Sequence, residues 1–233
     1  MVKNVLCLKH GSKYSADYVN ILYNMVSRNL TDFNFYCLTE NSQGLNSNIN
    51  IIDLPPGLDG WWYKPYMFSN DLPIEGTILY MDLDVVIAGS LEDLFTYEPG
   101  NWCIIRDFTR SMRADWKRYN SSVIRFEKGQ LDKYWQDFKT NSREYRKKHF
   151  GDQDWLWAVT HQSEPAKLWP DEWIQSWKWE VRSSKELTSG ARGQRRLTTI
   201  ENVVPPNDCC ITVFHGDPNP EHCLDPWVVD NWR

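Results

Sequence analysis

Over the first hundred residues, short runs that are apolar throughout alternate with one stretch whose apolar positions recur every three or four residues. The runs "NVLCLKH", "FNFYCLTEN" and "NINIIDLP" read as buried strands, the last stopped by Pro55 and Pro56. Between the first two, "YSADYVNILYNMVSRNL" sets Tyr18, Ile21, Leu22, Met25 and Val26 at helical spacing. "GWWYKPYMFSND" reads as a loop entering a short helix. A fourth strand, "TILYMDLDVVI", precedes "SLEDLF", a short helix capped by Ser90. Strand, helix, strand, strand, helix, strand is the alternation of an α/β fold, with a mostly parallel central sheet flanked by helices in a single domain.

Beyond residue 100 the pattern loosens. "NWCIIRDF" and "YNSSVIRFEKG" read as strands, and "QLDKYWQDFKTNSREYRKKHF" as one or two helices. "GDQDWLWAVT" reads as a helix whose acidic first turn suits the helix dipole. "WIQSWKWEVR" fits a strand or a loop. "LTSGARGQRRLTTIENVVPPND" is basic and glycine-containing, then proline-rich, and reads as a mobile loop. "CCITVFHGDPNP" closes the series as a strand running to His215 and a proline-limited turn. No internal repeat, low-complexity tract or linker divides the chain.

Asp82 and Asp84 interrupt the fourth strand. Residues two apart in a strand point to the same side, so the pair projects together, roughly 6–7 Å apart at Cα. With the carboxylates about 5 Å apart and an effective dielectric of about 20, their repulsion is on the order of 3 kcal/mol. That is large beside a total stability of ~5–15 kcal/mol. A solvated strand end would tolerate the pair. So would a shared divalent cation at the strand's carboxyl end, where open α/β sheets bind ligands. Hard carboxylate oxygens suit Mn²⁺ or Mg²⁺. The apolar flanks "ILYM" and "VVI" favour the cation, because they place the pair at the edge of a deep core.

Composition narrows the function classes. With 26 Lys and Arg against 31 Asp and Glu, the net charge of −5 offers no basic surface for nucleic acid. No apolar run approaches the ~20 residues that span a bilayer, and "MVKNVLCLKHGS" is too short and too quickly polar for a secretory signal. Six cysteines without a CxxC pair fit reduced thiols. Together these predict a cytoplasmic protein, of unspecified oligomeric state. Thirteen tryptophans serve either a core or flat faces for sugars or bases. Trp61, Trp62, Trp173, Trp177 and Trp179 are candidates for stacking on an acceptor sugar, although core packing is the commoner role of Trp.

Read in order, several segments resemble the glycogenin-like nucleotide-sugar glycosyltransferases (family 8 and close relatives, GT-A type). "LKHGSKYSADYVNILYNMVSRNL" is similar to their first strand and nucleotide loop, with His10 a loop contact and Tyr14 placed to pack on uracil. "YKPYMF" supplies Lys64 as a nucleotide-side lysine. "ILYMDLDVVIAGSLEDLF" resembles their Asp-x-Asp segment, with Asp82, Leu83 and Asp84 at the donor. "YNSSVIRF" resembles the strand whose Asn120 touches the donor sugar. "GDQDWLW" resembles the helix start that brings Asp152 and Gln153 to the reacting centre. "VFHGDPNP" resembles the late His-x-Gly motif, here His215 and Gly216. The similar segments run from about Val5 to Pro220, in the family's order.

The resemblance implies a Rossmann-like nucleotide-binding half (1–100) and an acceptor-side half (101–233). It implies transfer of a hexose from a nucleotide sugar, a UDP-hexose, to a glycan or other hydroxyl acceptor, with retention. Asp82, Asp84 and His215 would hold Mn²⁺ or Mg²⁺. Haloacid-dehalogenase phosphatases share an apolar-flanked Asp-x-Asp but open the chain with it, and a phosphatase leaves His215 unused. A non-catalytic carbohydrate-binding protein would use the tryptophans and leave the buried aspartate pair unexplained. Plainer roles also stand for single residues: Asp152 as a helix cap, Asn120 and His215 as turn residues. The chain departs from the family at "HGDPNPEH", which lacks the lysine that grips the pyrophosphate. Arg192, Arg195 and Arg196 in "SGARGQRR" are the candidate replacements, with Lys64 as the fallback.

Overall fold

The computed structural model describes residues 2–181 and 204–233, together with the backbone of two short strands between them. The central sheet takes β1 (Lys3–Lys9), β2 (Phe33–Thr39), β3 (Ile49–Ile52), β4 (Thr77–Met81), β6 (Cys103–Arg106), β7 (Tyr119–Glu127) and β8 (Lys167–Leu168) in the order β3-β2-β1-β4-β7-β6-β8. The first four pair in parallel, and β7 runs antiparallel to both β4 and β6. A smaller sheet places β12 (Ile211–Val213) between β5 (Val85–Ile87) and β9 (Ile174–Ser176).

Strand alternation explains why helices cover both faces of the central sheet. Val5 and Cys7 of β1, Leu79 and Met81 of β4 and Val123 of β7 pack on one side, with Tyr18, Leu22, Met25 and Val26 of α1 (Ala16–Asn29). Leu6, Leu8, Ile78, Tyr80, Ile124 and Phe126 pack on the other. There they meet the 3₁₀ helix Gly60–Phe68, α3 (Asp132–Lys148, kinked at Asn141) and α4 (Asp152–Thr160). Two remaining helices are short, α2 (Glu92–Thr96) and α5 (Pro226–Asn231). Leu91, not Ser90, occupies the N-cap of α2, while Ser90 Oγ one residue earlier accepts from the Glu92 amide at 3.2 Å.

Four other sequence expectations change. The Asp-Leu-Asp segment does not lie within a strand, because β4 stops at Met81 and the chain passes from one sheet to the other before β5. The backbone remains bonded at both ends: Asp82 N donates to Ser122 O (2.9 Å), prolonging the β4–β7 ladder, and Phe214 N donates to Asp84 O (2.8 Å), opening the β5–β12 ladder. The segment 187–208 is not a plain loop, since Leu187–Ser189 (β10) pairs antiparallel with Arg195–Leu197 (β11). Strands of three residues are too short for apolar patterning to reveal. "WIQSWKWEVR" splits into β9 and a π-helical turn, Trp177–Val181. The strand before His215 ends at Val213.

Candidate active site

The two sheets meet at a cleft of about 710 Å³. Into it open the C-terminal ends of β1 and β4, the start of β7, the start of α4 and the turn after β12. All eleven residues singled out from the sequence line it: His10, Tyr14, Lys64, Asp82, Leu83, Asp84, Asn120, Asp152, Gln153, His215 and Gly216. They come from six separated segments.

One wall is organised by Lys64, which Pro65 and the 3₁₀ helix hold in a buried position. Its ammonium lies 2.8 Å from Asp82 Oδ1 and 3.8 Å from Asp152 Oδ2, and donates to Ser121 Oγ at 3.1 Å. Burial by itself would lower the Lys64 pKa, but Asp152 and Asp82 outweigh it and the net shift is upward. Lys64 therefore stays charged, and both carboxylates have a cation. Tyr80 OH donates to Asp82 Oδ1 at 2.7 Å, its own pKa raised by burial and then by Asp82. Asp152 is raised by burial, against the pull of Lys64 and a bond from Ser121. Asp152 is not the helix cap. Gly151, with extended backbone at φ −164°, occupies the N-cap of α4, which leaves the buried Asp152 carboxylate to face Lys64.

The opposite wall carries the other aspartate. Tyr14 OH donates to Asp84 Oδ2 at 3.1 Å. Burial and then the Asp82 charge push Asp84 up to about 7, despite Lys13, Lys64 and the Tyr14 hydroxyl. His215 sits behind it. Phe214 follows β12, which pairs antiparallel with β5 and parallel with β9, so Asp84, His215 and Ser176 come to one edge of the small sheet. His215 stacks on Phe108 (5.4 Å, 10°), meets Trp179 edge-on at 4.8 Å, and its Nε2 is 2.6 Å from Ser176 Oγ. Burial, then Lys178, lowers its pKa to about 4, so the imidazole is neutral at pH 7. A neutral imidazole retains a lone pair for a ligand.

Asn120 occupies the second position of β7, not a turn before it, and its Oδ1 accepts from Ser122 N at 3.0 Å. That bond turns the amide oxygen inward and leaves the NH₂ as the donor. Sequence reasoning missed Lys13, Tyr80, Ser121 and Phe150, which also line the cleft. Tyr80 lies two positions before Asp82, at the end of β4, and its hydroxyl reaches the Asp82 carboxylate. Of the candidate tryptophans, Trp61 lines the cleft and is 50% exposed. Trp62 stacks on Phe138 (5.8 Å, 17°) and Trp177 on Phe214 (4.9 Å, 20°), while Trp173 meets Tyr97 edge-on. These three are packing residues.

Among the described residues no three His, Cys, Asp or Glu side chains are gathered closely enough to enclose a metal ion by themselves. The donor chemistry at the junction of the sheets nonetheless suits a hard divalent ion. Two carboxylates face one cleft, one of them held up in pKa by burial and then by the other, beside a neutral imidazole. Such a group of ligands would be completed by oxygens of a bound phosphate.

No protein-family model and no curated protein matches the sequence. Solved structures do match the fold. The galactosyltransferase LgtC, solved with donor and acceptor sugar analogs, superposes with a TM-score of 0.63 over 98% of this chain and 96% of its own, at 15% identity. Its fold is the GT-A glycosyltransferase fold. GlyE, a glycosyltransferase of Streptococcus pneumoniae, gives 0.65 at 13% identity, covering 100% of this chain and 61% of GlyE. The bifunctional glycosyltransferase WbbM gives 0.63 at 10% identity, covering 99% and 49%. The chain thus matches nearly the full length of LgtC and only part of the other two.

Proposed function

We propose that the chain is a nucleotide-sugar glycosyltransferase of the glycogenin-like type, moving a hexose from UDP-hexose to a hydroxyl acceptor with retention. The observation that carries this reading is the convergence of eleven residues, chosen from the sequence, on one cleft built around the Asp82–Asp84 junction. Asp82, Asp84 and His215 would hold Mn²⁺ or Mg²⁺. A divalent ion there supplies Lewis-acid stabilisation to the departing diphosphate.

The chain's own groups do the positioning. Lys64 and Tyr80 fix the Asp82 carboxylate, and Tyr14 fixes that of Asp84. The Asn120 amide and Gln153 hold the sugar hydroxyls, and Asp152 lies beside the anomeric carbon, 3.8 Å from the Lys64 ammonium. Holding these groups in one geometry is worth several orders of magnitude in rate. A cation for the diphosphate is also needed. Arg192 and the side chains of Arg195 and Arg196 lie outside the described residues. Within them, Lys178 from the π-helical turn donates to His215 O at 3.1 Å and lies against Gly216. It takes the place of the lysine missing from "HGDPNPEH". Lys64, committed to two carboxylates, is the weaker candidate.

The test is calorimetric titration of UDP in Mn²⁺, followed by a donor screen across UDP-sugars. UDP should bind wild type, and Asp84→Asn should lose the Mn²⁺-dependent part of that affinity while keeping its fold. A phosphatase or a plain sugar-binding protein would show no uridine-nucleotide binding, and that result in wild type retires the reading.

A further inference from the structure

Exposed aromatic rings at the cleft mouth adjoin, through Trp61 and Trp62, a separate hollow lined by cations. Phe150 is 90% exposed, the most exposed large hydrophobic side chain among the described residues, and it lines the cleft mouth together with the half-exposed Trp61. Shortly before it in sequence comes "REYRKK", the last turns of α3, with His149 between them as the C-cap. Arg143 and Lys147 are four residues apart and share a helix face. With Arg146 they line a hollow of about 520 Å³ beside Gly57 and Trp62. Arg146 is paired with Asp59 at 2.5 Å. Arg143, Lys147 and Lys148 are exposed, and none of them forms an ion pair with a carboxylate among the described residues. Glu144 is the one exposed acid within this stretch. The basic patch stands out from a chain whose net charge is −5.

We infer that this surface docks on an anionic lipid bilayer, with Phe150 entering the headgroup boundary and Arg143, Lys147 and Lys148 meeting lipid phosphates. Cations beside an exposed aromatic ring are the composition that binds a charged interface. A protein partner fits less well. A stable protein interface removes about 800 Å² per side, whereas one ring and half of another offer too little apolar area for its core. Bilayer insertion needs only those rings. The arrangement also says something of the substrate. Phe150 stands two residues before Asp152, so docking would lay the cleft mouth on the membrane. The acceptor would then be a membrane-held amphiphile whose polar head enters the cleft. This last step rests on the glycosyltransfer reading, while the docking itself does not. One ring and three cations make a weak, reversible contact rather than an anchor.

The test is co-sedimentation of the full chain with vesicles of phosphatidylcholine, alone or with about a quarter phosphatidylglycerol. It is run at about 50 mM salt and again at about 300 mM. Wild type should pellet with the anionic vesicles at low salt, be released at high salt, and ignore neutral vesicles. Phe150→Asp and the double variant Arg143→Glu/Lys147→Glu should each cut the bound fraction by at least ~5-fold. The double variant should bind UDP and Mn²⁺ as wild type does, since neither residue lines the cleft. No pelleting of wild type at low salt, or pelleting that survives both variants, overturns the docking. Equal transfer to a soluble oligosaccharide and to a vesicle-borne glycolipid overturns the amphiphile acceptor. Failure of UDP to bind wild type would instead remove the glycosyltransfer reading and leave the vesicle result standing.

Discussion

On the Lys64 wall of the cleft, two carboxylates share one buried ammonium at 2.8 and 3.8 Å, with Tyr80 and Ser121 supplying hydrogen bonds. On the Asp84 wall, two residues along the same turn, the carboxylate has the Tyr14 hydroxyl and no paired cation among the described residues. Its neighbour His215 is neutral. The first wall is electrically complete as the chain folds. The second is left with an acid raised to about 7, so that a substantial share of it stays protonated at neutral pH. On the proposed function the difference would separate scaffold from receptor, since a divalent ion and a diphosphate gain most where compensation is lacking.

The largest effect should come from emptying the complete wall. Lys64→Met leaves the buried Asp152 and the half-buried Asp82 without their shared cation, with only the Ser121 and Tyr80 hydroxyls as partners, and breaking a buried pair in this way costs about 3–5 kcal/mol. At ~2–4 °C per kcal/mol for a chain of this size, thermal melting should fall by roughly 6–20 °C. A change of a degree or two would mean that the wall is solvated enough to do without its lysine. Asp152→Asn sharpens the comparison from the same wall. Lys64 keeps Asp82, and the helix keeps Gly151 as its cap, so melting should stay within about 2 °C of wild type. Transfer should nonetheless drop about 10²–10³-fold, the usual loss when one electrostatic group is removed from a reacting centre. Activity that survives in turnover assays would reduce Asp152 to a partner of Lys64.

The same contrast explains what could be read from the residues. The parallel strands and α1 are long enough to display their period, so Val5, Leu6, Cys7 and Leu8 reveal a strand buried on both faces. The small sheet is built from strands of three residues, and its partners lie as far apart as Val85 and Val213. No local period can report such a pairing. Asp82 and Asp84 were conspicuous because charge interrupts an apolar run, and the inference that they face one cavity holds. The strand geometry used to reach it does not, because the segment is a hinge between sheets. Lys178 carries no local signal at all. Its proximity to His215 follows from the parallel pairing of β9 with β12.

The smallest effect is the most discriminating, because the two groups of the open wall titrate with opposite sign. Asp84 has a folded-state pKa near 7 against about 3.9 unfolded. Between those values the folded chain holds the extra proton, so this residue's contribution to stability falls as pH rises from 4 to 7. The displacement sets a ceiling of about 4 kcal/mol, and the opening of the side chain onto the cleft reduces this to about 1–2 kcal/mol. His215 has a folded pKa near 4 against about 6.5 unfolded. Over that window the unfolded chain holds the extra proton, and stability rises with pH. In metal-free wild type the two slopes oppose one another between pH 4 and 6.5, and Asp84 alone pulls stability down from 6.5 to about 7. Asp84→Asn removes the falling part. Urea denaturation of that variant in chelator should therefore give stability that rises to about pH 6.5 and then levels, lying above wild type at pH 8. A profile still falling between pH 6 and 8 in Asp84→Asn would assign the uncompensated charge to some other group, and the contrast between the two walls would fail.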